Sequence, residues 1–184
     1  MNITVLGVLE FNSIAIGIKA LDAMVKAAPV KVIDAKTICP GKFYIIVNGE
    51  VAEIDASLTA GKSVDEGCLV DELFISNLHP QVVPAILGAV DCKIWKAVAV
   101  IESFSVAASI EAADTAAKMA EILVTEVRLA TGMGGKSYIK IMGNIHEVEA
   151  AVTAAKEVIS RKGLFCKDIV IPNPHPDIRP YFLF

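Results

Sequence analysis

Residues 36–50, KTICPGKFYIIVNGE, put one cysteine at a turn before an apolar run. A thiolate is a nucleophile and a soft metal ligand, and both roles usually draw on partners close in sequence. Cys39 has none: no second cysteine lies within three residues and no histidine is near. Cys68, Cys92 and Cys166 are as scattered, and no CxxC pair occurs. These three read as small buried hydrophobes. Cys39 is either an idle thiol or a group whose partners come from elsewhere.

Other candidate chemistry is thinner. TGMGGK, residues 131–136, is glycine-rich, but a phosphate-binding GxxxxGK[ST] loop needs glycine at position 130, which is Ala130. His79 and His175 each precede a proline at an expected helix start, where a hydrogen bond to the helix is the simpler role. Glu10 and Glu102 recur at strand ends, as structural residues of a repeated unit do. No Ser-His-Asp or paired-carboxylate constellation assembles, so no enzyme is expected.

Composition narrows the classes further. Hydrophobic residues make up 54% of the 184 and charged residues 21%. No apolar run reaches the roughly 18 residues of a membrane span, so no membrane partner is expected. MNITVLGVLEFN has neither a basic region nor a small-residue cleavage site, so it does not read as a signal peptide. Without a secretion signal the thiols read as reduced. A net charge of −4 argues against nucleic acid. Much apolar sequence without a membrane span points to large subunit interfaces.

The elements that must carry Cys39 occur twice. VLEFNSIAIGIKALDAMVKAA (8–28) aligns with VIESFSVAASIEAADTAAKMA (100–120), pairing Glu10 with Glu102, Ser13 with Ser105 and Lys26 with Lys118. PGKFYIIVNGEV (40–51) aligns with GGKSYIKIMGNI (134–145), the second copy carrying two extra residues in its turn. ISNLHP (75–80) matches IPNPHP (171–176). A period near ninety residues fits two tandem domains, 1–90 and 95–184, joined by a linker at 87–96. Each copy reads strand, helix, hairpin, helix, strand, short helix. The first helix follows an N-cap at Ser13, with Ile14, Ile18, Leu21 and Val25 expected inward, and the second is expected to bury Val51, Ile54 and Leu58. The order predicts an α/β (α+β) class: two tandem ferredoxin-like domains, antiparallel sheets with flanking helices.

GVLEFNSIAIGIKALDAMVKAA, the glycine-bearing hairpin turn, VNGEVAEIDASLTAG and the IPNPH ending resemble the bacterial microcompartment shell domain, twice and over nearly the whole chain. The resemblance implies a homotrimer acting as a pseudo-hexameric tile, partnered by other microcompartment shell proteins in the shell of a cytoplasmic organelle. It implies that the hairpin turns line a central pore: Ile38, Pro40, Gly41 and Lys42 from the first copy, and Gly132, Met133, Gly134 and Gly135 from the second. KTICPGKF further resembles the tandem-domain tiles of propanediol-utilisation compartments, in which this cysteine holds an iron–sulfur cluster on the three-fold axis.

That resemblance makes Cys39 the metal ligand of a 4Fe-4S cluster, one per trimer, with three of the four usual thiolates supplied by symmetry. Lys42 and Lys36 are expected to offset the thiolate charge. Electron transfer across the shell to lumen redox enzymes is one use; carriage of the cluster and oxygen sensing are others. Zinc on three thiols, a metal-free pore for small metabolites and a trimeric ligand-binding regulator remain open alternatives. Lys26 and Lys118 are implied at tile edges. The family's IPRPH arginine is replaced here by Asn77 and Asn173, which lack its rigid fork of donors.

Overall fold

The structure is a computed structural model, and it describes residues 3–88, 90, 92 and 95–183. Positions 89, 91, 93 and 94 of the expected linker lie outside the described residues, as do 1, 2 and 184 of the two expected domains. In the first copy the elements are β1 (Leu6–Phe11), α1 (Ile14–Ala27), β2 (Lys31–Ile38), β3 (Lys42–Asn48), α2 (Val51–Ser63), β4 (Leu69–Ile75) and α3 (Val82–Ile86). The second repeats them as β5 (Ala97–Ser103), α4 (Val106–Met119), β6 (Ile122–Arg128), β7 (Ser137–Gly143), α5 (Ile145–Arg161) and β8 (Phe165–Ile171). It ends in a 3-10 turn at Pro176–Ile178 and α6 (Arg179–Leu183).

Each copy forms one four-stranded sheet, ordered β2-β3-β1-β4 and β6-β7-β5-β8, and the pairings are antiparallel. This is the expected α+β arrangement. The central strands show why. β1 is buried throughout and β3 is buried from Phe43 to Val47; both are flanked on two sides by strands, and α1 and α2 cover the face that carries Leu9, Phe11, Phe43, Ile45 and Val47. A continuous apolar run is what such a strand requires.

The first core joins Leu9, Phe11, Phe43, Ile45 and Val47 from the sheet to Ala20 and Met24 of α1 and to Ile54 and Leu58 of α2. The α1 face differs from expectation. Its buried residues are Gly17, Ala20 and Met24, with Leu21 only partly packed, while Ile14, Ile18 and Val25 are 38, 55 and 42% exposed. The reason is a close approach: a Cβ on Gly17 would stand 2.6 Å from the Phe43 side chain. The helix presents its small-residue side to the sheet and turns its larger aliphatics outward. In α2, Ile54 and Leu58 are buried as expected, whereas Val51 is exposed.

The chain divides into two compact units. Unit 1 holds residues 1–78 together with Ser105–Ala107 and Ala130–Gly135; unit 2 holds the remainder. Helix α3 therefore belongs to unit 2. There the Gln81 side chain donates to the Ile122 carbonyl at 3.0 Å and accepts from the Val124 N–H at 2.8 Å. One amide thus pairs with backbone of the edge strand β6 as a neighbouring strand would. Elsewhere in unit 2, Cys92, Val98, Met142 and Phe182 form a core that Trp95 joins edge-on to Phe182. No helix among the described residues is long and apolar enough to cross a membrane.

Candidate functional site

Cys39 sits at the turn joining β2 to β3, half-buried, between buried Ile38 and exposed Pro40 and Gly41. Gly41 closes the turn with φ +87°, where a side chain is disfavoured, and its N–H donates to the Ile38 carbonyl at 3.0 Å. The Cys39–Pro40 peptide is cis. Unit 1 adds a second layer from the glycine-rich turn. The Cys39 N–H donates to the Ala130 carbonyl at 3.3 Å. Ala130 holds φ +45°, uncommon for a residue with a side chain. Gly135 packs beneath: a Cβ there would meet Pro40 Cδ at 3.0 Å and the Cys39 carbonyl oxygen at 3.2 Å. The thiol-bearing turn is seated on the thiol-free one.

The residues expected around Cys39 fall into two groups. Pro40, Gly41, Gly132 and Gly134 are exposed, Lys42 and Met133 are half-buried, and Gly135 is buried under Pro40. Ile38 is only 5% exposed, at the base of the turn, and presents no surface for lining a channel.

The lysines also differ from expectation. Lys42 Nζ lies 2.9 Å from Glu10 Oε1, both side chains largely buried, and Lys36 Nζ lies 2.8 Å from Asp34. Each ammonium is engaged by a carboxylate, so neither stands free to offset a thiolate at Cys39.

Glu10 is the residue that repeat pairing marked as structural, and its task is specific. Its Oε2 accepts from the Val106 N–H at 2.8 Å and from the Ser105 hydroxyl at 3.0 Å, within unit 1. The Ser105 hydroxyl also lies 2.6 Å from Asp71. The paired glutamate of the second copy, Glu102, instead receives Lys136 at 3.1 Å and the Cys166 thiol at 3.4 Å. The hydrogen bond and charge of Glu102 raise the Lys136 pKa, while desolvation and the same carboxylate push the Cys166 thiol up.

No three His, Cys, Asp or Glu side chains stand together as a metal site among the described residues of one chain. Of the cysteines expected to be buried, only Cys92 is; Cys68 and Cys166 are half-buried like Cys39, at the starts of strands where the sheet edge is open. One chain offers one thiol at the hairpin turn, which fits a cluster only where several copies meet. His79 and His175 make the expected local bonds, each Nδ1 accepting a backbone N–H two residues on, at 3.4 and 3.3 Å. Lys26 pairs with Asp22 and Lys118 with Asp114, both at 2.6 Å and one helical turn apart. Asn77 and Asn173 are exposed.

Comparison with known proteins agrees with this architecture. The BMC domain model matches twice, at residues 5–78 and 97–174. The bacterial microcompartment shell protein PduT of Citrobacter freundii is 42% identical over 170 residues, covering 92% of each chain. The crystal structure of a microcompartment protein from Desulfitobacterium hafniense superposes with a TM-score of 0.86 at 41% identity, over 97% of this chain and 99% of that one. A fused permuted hexameric shell protein of the RMM microcompartment shares the fold, with a TM-score of 0.65 at 19% identity over 85% and 81% of the two chains. Two family matches covering most of the sequence, and a full-length relative at this identity, make the chain a member of the BMC domain family, in tandem form.

Proposed function

We propose that this protein is a structural tile of a bacterial microcompartment shell and not an enzyme: a homotrimer of pseudo-hexameric outline in which three copies of Cys39 hold one 4Fe-4S cluster. The carrying observation is a lone cysteine on a stiff, doubly layered hairpin turn in a tandem-BMC chain, with no three metal-ligating side chains grouped among the described residues. The trimer is supported by the difference between the two copies. Ile14, Ile18 and Val25 are exposed on α1, whereas their repeat partners Val106, Ile110 and Ala117 on α4 are 0, 0 and 8% exposed. An apolar helix face left open in one copy and closed in the other is what a second subunit covers.

In this reading Cys39 supplies the thiolate, Ala130 fixes its backbone, and Gly135 sets the height of the turn. The cluster, when bound, supplies one-electron redox chemistry at the tile's centre, available to redox enzymes of the lumen. Other shell proteins meet the tile at its edges, near Lys26, Lys118, Asn77 and Asn173. Engagement of Lys42 and Lys36 by carboxylates favours the second reading, a metal-free tile passing small metabolites.

Anaerobic purification with iron and acid-labile sulfide analysis decides between them. We expect about four irons per three chains in the wild type. Cys39→Ser should bind none, whereas serine at Cys68, Cys92 or Cys166 should leave the iron in place. Metal-free protein after anaerobic reconstitution supports the plain pore. One cluster per chain removes the shared axial site.

A further inference from the structure

The two copies treat one joint differently. Inside unit 1, the carboxylate of Glu10 closes on the start of α4: Oε2 accepts the Val106 N–H and the Ser105 hydroxyl, while Oε1 holds Lys42. A helix start offers N–H groups without intrahelical partners and a partial positive charge, so a buried carboxylate there is well matched. The repeat partner of Glu10 is Glu102, and the partners of Ser105 and Val106 are Ser13 and Ile14.

Both halves of the second joint exist, but unjoined. Glu102 keeps the lysine half of the pattern, through Lys136 on Oε2 at 3.1 Å, and its side chain stays 32% exposed against 1% for Glu10. At the other half, the Ser13 hydroxyl accepts from the Ile16 N–H at 3.3 Å and retains its own proton to donate. Nothing among the described residues accepts the Ile14 N–H. Beside it lies the exposed row Ile14, Ile18 and Val25, whose repeat partners are buried.

We infer that Glu102 of one chain receives the start of α1 of a second copy, its carboxylate accepting the Ile14 N–H and the Ser13 hydroxyl as Glu10 accepts Val106 and Ser105. The partner is another copy of this chain because the joint's template is written inside the chain itself. Charge agrees, a carboxylate meeting the positive end of a helix. The intermolecular joint is the simpler one. Glu10 has Asp71 opposite it on the ladder, and the two carboxylates share the single Ser105 proton, whereas Glu102 has Lys167 opposite. The joint thus rests on one carboxylate. The inference depends on the trimeric reading and adds its contact residues.

The test uses the full chain in a Cys39→Ser, Cys68→Ala, Cys166→Ala background, which removes the turn thiol and the two thiols near the new pair, Cys68 lying beside Asn12 and Cys166 beside Glu102. Ser13→Cys and Glu102→Cys are introduced together, oxidised with diamide and run on a non-reducing denaturing gel, with each single variant as control. Covalent dimers and trimers in the double variant alone support the joint. Glu102→Gln should raise the concentration at which trimers dissociate at least tenfold, by mass photometry, as removal of a charge-assisted hydrogen bond would. Trimeric particles that give no cross-link, or a Glu102→Gln protein that dissociates like wild type, overturn the inference while the trimeric reading stands. A wild type that is monomeric throughout overturns the trimeric reading, and the joint with it.

Discussion

At the residue scale the cysteine turn is held from below: its Cys39 N–H donates to the Ala130 carbonyl at 3.3 Å, and Gly135 packs against Pro40. A cysteine without neighbours, followed by Pro-Gly-Lys, reads from sequence as stiff and exposed; in the structure Pro40 and Gly41 are exposed, but Cys39 is half-buried and the Lys42 side chain turns in to Glu10. The second layer was not legible. Nothing in TGMGGK shows that Gly135 must lie under Pro40, because that contact joins segments almost a hundred positions apart. Nor could the sequence tell that Glu10 takes Lys42. Two like-placed glutamates signalled structure, but their different partners are set by tertiary placement. Gly135 carries a prediction. Alanine there would combine a φ of +88° with contacts of 3.0 and 3.2 Å to the Cys39 turn, one of them to backbone. Gly135→Ala should cost about 2 kcal/mol in urea unfolding. It should also lower bound iron well below wild type, because the strain falls on the cysteine's own carbonyl.

At the element scale, strand and helix types followed from periodicity and their facing did not. α1 has aliphatics on more than one side, so a 3.6-residue pattern admits two solutions. Gly17, with Phe43 pressed on it, selects the one that leaves Ile18 outside. Ile18→Glu should therefore leave the fold of the isolated chain intact, within about 0.5 kcal/mol, yet give monomers by light scattering. A trimeric Ile18→Glu protein would mean that α1 is not the subunit contact. The outer strand β6 carries a second prediction. Glu126 faces Lys140 at 2.7 Å, Arg128 at 2.6 Å and the Tyr138 hydroxyl at 3.2 Å. Burial alone would raise its pKa, but these partners outweigh burial and hold it below the ordinary carboxylate range. A depressed carboxylate adds stability above its unfolded pKa of about 4.3, and that stability is lost as pH falls through the folded value. Glu126→Gln should be less stable than wild type near neutrality, and the gap should narrow as urea melts are taken below about pH 4.

At the scale of the whole molecule, the repeat carried the reading. Two copies in register exposed the domain type, and the places where the copies disagree are the ones on which the trimeric proposal rests. The exchange of α3 into unit 2 was not legible, since the chain order puts Gln81 with the first copy and only the backbone of β6 shows why it leaves. In the proposed tile Lys26 lies at an edge; it is exposed and, among the described residues, pairs with Asp22 on its own helix. Lys26→Glu should leave trimers intact and abolish two-dimensional sheets in negative-stain images. Normal sheets would move the edge elsewhere.

The seating of a thiol-bearing turn on a thiol-free one also bears on inheritance. In a ring of six identical chains, any codon change at the centre appears at all six positions at once, so a ligand and its support cannot be altered separately. Doubling the domain within one gene gives alternate positions separate addresses. In the proposed trimer a change at codon 39 would be written three times around the ring and a change at codon 135 three times between them, so each could be selected without the other.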